Sequence, residues 1–210
     1  MESKGTAGMA ATIDAVGEFF GHDVAQLTKC GAGELESAER NWLPRFFLNT
    51  MLHAHLGRPT HHIAIGYLRR VEVAFEAYER GRKELQHFVE TDMSTISPYF
   101  RALSSFESCV SQSYQALELL MVLFNRELFS KGENSDEEHL NLLYNRIKHL
   151  NKEIRRGDYP ENHTGPVWLT NNGLAGQELS FSFDMCRELL NKLAFYAEVF
   201  CTAPSDQSRA

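Results

Sequence analysis

Residues 97–128 read SPYFRALSSFESCVSQSYQALELLMVLFNREL, and this stretch decides the fold class. It opens with a cap residue, Ser97, and a proline at the first helical position, where proline costs no hydrogen bond. Large apolar residues then recur at alternating steps of three and four, which is the period of an α-helix. They are Tyr99, Leu103, Phe106, Val110, Tyr114, Leu117, Met121, Phe124 and Leu128. The pattern predicts a helix over 97–129, long enough to span a domain.

The same period recurs through most of the chain. Ser135 and Glu138 form a capping box, which predicts a helix that runs to about Ile154. Pro44 lies near the start of another predicted helix or kinks it. The predicted helices besides 97–129 cover 9–29, 38–57, a segment from near Pro59 to Phe88, 135–154, and a last stripe from Met185 to Phe200. These helices predict an all-α fold, an antiparallel helix bundle.

The segment 157–179 differs from the helices in composition. It carries two prolines, four glycines and an Asn-Gly turn around the β-prone VWLT. We therefore expect a short irregular or hairpin insertion near 164–175. Residues 1–92 are predicted as an amino-terminal helical segment that packs on the bundle, 93–202 as the bundle, and 203–210 as a disordered tail.

Composition excludes several classes of function. The chain has 21 Lys and Arg against 28 Asp and Glu, a net charge of −7, so any polyanion contact must be local. The four cysteines lack metal-ligand spacing and are expected as buried thiols in a reducing compartment. No signal peptide and no run of 18 apolar residues is found, so we expect a cytoplasmic protein without a membrane span.

No metal or cofactor is expected from the sequence. Four histidines cluster in HAHLGRPTHH at 53–62, but no carboxylate of ligand geometry and no Glu-x-x-His pair accompanies them. Phosphate-binding glycine loops and nucleophile elbows are also missing.

Cations gather around one histidine in the predicted helix 135–154 and just after it. Asn145, Arg146 and His149 fall on one flank of the stripe formed by Leu143, Ile147, Leu150 and Ile154. Histidine is the residue type suited to take the proton of an RNA 2′-hydroxyl near neutral pH, so His149 is the candidate base. Arg146 can clamp the phosphate, and Asn145 can orient both. The remaining cations, Lys148, Lys152, Arg155 and Arg156, are expected to hold the strand. A solvated helix end that complements the helix dipole explains the same pattern.

The chain resembles the HEPN domains of prokaryotic toxins and anti-phage systems in three features. They are the long helix 97–129, the stretch YNRIKH at 144–149 followed by VWLTNNGL, and the last helix. The resemblance covers roughly 97–202. It implies a helical bundle, a homodimer, and metal-independent cleavage of RNA by paired Arg and His across a dimer cleft. It also implies a partner or antitoxin protein.

The spacing of the pair keeps a second hypothesis open. Only two residues separate Arg146 from His149, fewer than HEPN enzymes usually have, which favours a non-catalytic helical module that binds a partner protein or nucleic acid. Arg82 and His87, in RKELQH, have a wider spacing, but they lie late in another predicted helix and we attribute them to chance.

Overall fold

The structure, a computed structural model, describes residues 21–36, 41–53, 58–91, 95–157 and 159–202. This part of the chain forms seven helices and one small antiparallel sheet. The elements are α1 His22–Gln26, α2 Trp42–His53, α3 Arg58–Glu90, α4 Ser97–Phe124, α5 Asp136–Lys148, α6 Leu150–Arg156, β1 Val167–Thr170, β2 Gly173–Gly176, β3 Leu179–Ser182 and α7 Phe183–Cys201. The protein is mostly helical, as predicted, but the sheet means that it is not purely all-α.

The two longest helices, α3 and α4, pack along each other and form the centre of the core. Their apolar stripes are buried as the sequence predicts, with Tyr67 of α3 and Phe106 of α4 fully enclosed. Gly81 of α3 lies against the Phe106 ring, where a Cβ would come within 3.0 Å of ring carbons, so glycine permits this close approach. Helix α4 ends at Phe124, because Asn125 adopts a left-handed conformation with φ 48°. It is therefore shorter than predicted.

Helix α2 packs against the carboxyl end of α7. The buried Trp42 donates from Nε1 to Glu198 at 2.7 Å, and Arg45 forms an ion pair with the same carboxylate at 2.9 Å. Tyr67 of α3 donates its hydroxyl hydrogen to the Leu193 carbonyl of α7 at 2.6 Å. These polar contacts fix α2, α3 and α7 around one end of the core.

The amino-terminal predictions are only partly covered by the described residues. Within 21–29 the sole helix described is α1, which ends at Gln26 because Leu27 is extended, with φ −81° and ψ 91°. The remaining predicted helix boundaries near the amino terminus and the predicted tail lie outside the described residues. They fall in 1–20, 54–57 and 203–210. The boundary at 92 stays a prediction, and α3 and α4 on its two sides share one buried core.

The predicted helix 135–154 is interrupted at His149. Helix α5 ends at Lys148, His149 has φ −108° and ψ 25°, and α6 begins at Leu150. The two segments keep the same apolar period, so periodicity could not reveal a break of one residue. After the break Ile154 is 50% exposed, and its predicted place in the buried stripe is wrong.

The insertion forms a three-stranded meander in the order β1-β2-β3. The expected hairpin is present as β1 and β2, joined at the Asn171-Asn172 turn with Thr170 opposite Gly173. The third strand was missed because four residues that lead directly into α7 are too few to show a period. Ser182 ends this strand and caps α7 by accepting from the Met185 amide at 3.1 Å.

Candidate nucleic-acid interface

The Arg146 side chain is partly buried and is engaged by two neighbouring segments. Its Nη1 donates to the carbonyl oxygen of Gln177, in the β2–β3 turn, at 2.7 Å. Its Nε lies 4.0 Å from a carboxylate oxygen of Glu153 on α6. A Cβ on Gly176 would lie 2.5 Å from Nη1, so glycine there makes room for the guanidinium. Arg146 thus joins α5, α6 and the sheet, a structural role that sequence spacing did not indicate.

Asn145 is bonded within its own helix. Its Nδ2 donates to the Asn141 carbonyl at 2.9 Å and to Asn141 Oδ1 at 2.8 Å. Both contacts are four residues back along α5, so the amide hydrogens are directed along the helix. The Asn145 side chain has no described contact with the His149 imidazole, and its proposed orienting role gains no support from these bonds.

His149 is exposed at the junction of the two helices. Its amide donates to the Asn145 carbonyl at 3.0 Å, and its carbonyl accepts from the Lys152 amide at 2.8 Å. Among the described residues its imidazole has no hydrogen bond or ion pair. Of the three predicted catalytic side chains, His149 is therefore the one that is free to meet a ligand.

Helix α6 is amphipathic across its seven residues. Lys152, Arg155 and Arg156, which we call the α6 cationic face, recur at i, i+3 and i+4 and are all exposed. Leu150 and Ile154 lie on the opposite side and line a groove against 164–167. Within the described part of the chain the three cations have no ion pair, so their charge is available to a polyanion.

Lys148 belongs to α5 and has a different environment. Its Nζ lies 5.6 Å from the centroid of the Tyr144 ring, within the range of a cation–π contact. Tyr144 in turn stacks on Tyr114 of α4, with ring centroids 4.4 Å apart and 21° between the planes. This aromatic pair fastens α5 to α4, and no feature of the sequence singled it out as a pair.

A buried carboxylate positions the loop that precedes the sheet. Asp23 of α1 is 3% exposed and accepts from the Thr164 amide at 3.0 Å, the Thr164 hydroxyl at 2.6 Å and the Tyr99 hydroxyl at 2.5 Å. Burial and the neighbouring carboxylate raise the pKa of Tyr99 far above its usual range, so this phenol stays a donor. The Asp23 network was also missed, because its members lie 76 and 141 residues apart.

The described residues contain no group of three or more His, Cys, Asp or Glu side chains arranged to hold a metal. In the histidine cluster, His61 packs on the Phe46 ring with centroids 5.2 Å apart, which is an aromatic contact. The side chains of His53 and His55 lie outside the described part. No described helix combines the length and apolarity that a bilayer span demands.

No protein-family model, curated protein or solved structure matches the chain.

Proposed function

We propose that the chain binds single-stranded RNA through the α6 cationic face together with His149 and Lys148. The single observation that carries this proposal is the presence of three exposed cations, without ion pairs, on one face of a short helix in an acidic protein. Phosphates attract such a face and release counterions when they bind. Exposed His149 at the helix junction adds a side chain that can stack on a base or donate to it.

This proposal is the non-catalytic alternative of the two sequence hypotheses, and the contacts of Arg146 favour it. A guanidinium already bonded to Gln177 and close to Glu153 is not free to clamp a phosphate. The same proposal includes four further points. The chain is HEPN-like, forms a homodimer, is cytoplasmic, and acts beside a partner or antitoxin protein in a toxin or anti-phage system.

The test is a titration of fluorescein-labelled mixed-sequence RNA with the full-length protein, followed by anisotropy at several salt concentrations. One variant replaces all three residues of the α6 cationic face with Gln. Its matched control replaces one Lys and two Arg that are exposed on α3, namely Lys83, Arg69 and Arg80. Both variants change the net charge equally, so only the position of the lost charges differs.

We expect the α6 variant to bind RNA much more weakly and to lower the slope of log K against log salt by roughly 2, since each phosphate contact contributes about 0.7 for single strands. The control should retain the slope of the unmodified protein. Equal losses in both variants would show that net charge alone governs binding, and the proposal for this face would then be abandoned.

A second candidate function is metal-independent cleavage of RNA, with His149 as base and Arg146 as clamp. The free, exposed imidazole one turn from an arginine favours it. Its test is incubation of RNA in EDTA with the protein, His149→Ala, and the control His87→Ala, an exposed histidine of α3. Cleavage to 2′,3′-cyclic phosphate ends that only His149→Ala abolishes supports the enzyme. Equal inactivity of all three removes it.

A further inference from the structure

A groove of about 270 Å³ lies between α4, α6 and the segment 164–167. Its walls are largely apolar, and two of its side chains, Phe100 and Ile154, are 45% and 50% exposed because the groove is open to solvent. The other apolar side chains of the walls are Leu103, Leu150, Pro166 and Val167. Apolar walls of this extent suit a compact hydrocarbon group.

Glu107 of α4 lines the same groove and is its only titratable side chain among the described residues. Its backbone carbonyl accepts from the Ser111 hydroxyl, but its carboxylate has no hydrogen bond or ion pair within the described part of the chain. Burial raises the pKa of Glu107, and no cation among the described residues pairs with its carboxylate to oppose this. A carboxylate that is partly withdrawn from water and lacks a partner is costly, and a bound cation lowers that cost.

We propose that this groove binds a small organic ammonium ion, whose hydrocarbon part lies against Phe100 and Ile154 and whose charged head pairs with Glu107. The apolar walls exclude strongly hydrated metal ions, and the carboxylate repels anions. Selectivity therefore comes from the combination of an ammonium head with a hydrocarbon tail. The inference is independent of RNA binding, because the α6 cationic face lies on the other side of α6.

The test uses three probes that share one tail: hexylamine, 1-hexanol and hexanoate. Each is titrated into the full-length protein, and methyl NMR shifts of Leu103, Ile154 and Val167 report occupancy of the groove. We expect the order amine, alcohol, carboxylate, with the amine bound on the order of tenfold more tightly than the alcohol. This series needs only the unmodified protein, so it does not depend on any variant folding.

Two variants then assign the preference to one carboxyl group. Glu107→Gln should reduce the preference for the amine over the alcohol to about one, since the amide cannot form a charged pair. The matched control, Glu118→Gln, alters an exposed acid of the same helix and should retain the preference. Any one of four results would overturn the proposal. With the unmodified protein these are equal binding of amine and alcohol, saturable shifts outside the groove, or no shifts at all. With Glu107→Gln it is an unchanged preference for the amine.

Discussion

Replacing Arg146 with Ala tests whether this side chain is structural, as its contacts indicate. The change removes a hydrogen bond of 2.7 Å from a charged donor to the Gln177 carbonyl, which contributes about 1.5–3 kcal/mol. It also removes the contact with Glu153 at 4.0 Å, between side chains 21% and 16% exposed, which adds up to about 1 kcal/mol. We expect the free energy of unfolding to fall by about 1.5–4 kcal/mol, equivalent to roughly 3–16 °C in Tm for a chain of this size.

Urea unfolding followed by circular dichroism measures this loss, and amide hydrogen exchange locates it. The β2–β3 turn should exchange faster in Arg146→Ala, because its anchor to α5 is lost. Arg155→Ala is the matched control, since Arg155 is an exposed arginine of α6, and it should change stability by no more than about 0.5 kcal/mol. RNA affinity should respond in the opposite way, with the larger loss in Arg155→Ala.

The structural role of Arg146 is refuted if Arg146→Ala unfolds at the same urea concentration as Arg155→Ala. If the same variant also loses RNA binding, Arg146 meets the ligand directly, and the catalytic hypothesis regains its phosphate clamp. Arg146→Lys separates charge from geometry, because a lysine keeps the charge but loses the forked donor. We expect Arg146→Lys to fall between the native protein and Arg146→Ala in stability.

Three further predictions concern the scaffold. Asp23→Ala leaves the Tyr99 hydroxyl and the Thr164 donors without their acceptor. The free energy of unfolding in urea should therefore fall by about 2–4 kcal/mol. A loss under about 1 kcal/mol would contradict the importance of the Asp23 network. Bonds from two loop amides lower the pKa of Glu138, so its contribution to stability is complete at neutral pH. At neutral pH the unmodified protein should have a higher urea midpoint than Glu138→Gln. This difference should shrink as the pH falls through the ordinary carboxyl range towards the lowered pKa, and a difference that does not depend on pH would contradict the prediction. In the native protein a disulfide-exchange reagent should modify Cys30 alone, because the other three cysteines are buried, and rapid reaction of all four thiols would contradict this.

Local signals predicted the helices well because each depends on neighbours in sequence. Ser135 does cap α5, accepting from the Glu138 amide at 3.2 Å. The reciprocal half of the capping box is different, since the Glu138 carboxylate accepts from the amides of Gly132 and Asn134 instead of that of Ser135. A left-handed turn at Gly132, with φ 86°, presents its amide to this carboxylate. The pattern thus located the helix start but not the partner.

The candidate site was less predictable because its decisive contacts join distant parts of the chain. Arg146 and Gln177 are 31 residues apart, and nothing in YNRIKH indicates that a β-turn carbonyl takes the guanidinium. The helical wheel also assumed a continuous helix through His149. Because that helix breaks, Lys152, Arg155 and Arg156 belong to a separate helix, α6, and do not continue the face of α5.

The contacts of the cations around His149 affect the two proposed functions differently. For catalysis, Arg146 has to leave Gln177, and a phosphate must replace a charged hydrogen bond that contributes about 1.5–3 kcal/mol. The alternative is that another cation acts as the clamp, and Lys148 beside the Tyr144 ring is the one adjacent to His149 in sequence. For binding alone, the α6 cationic face is already exposed and needs no rearrangement. Binding therefore requires less of this structure than cleavage does, and cleavage, if observed, must depend on Lys148 or on release of Arg146.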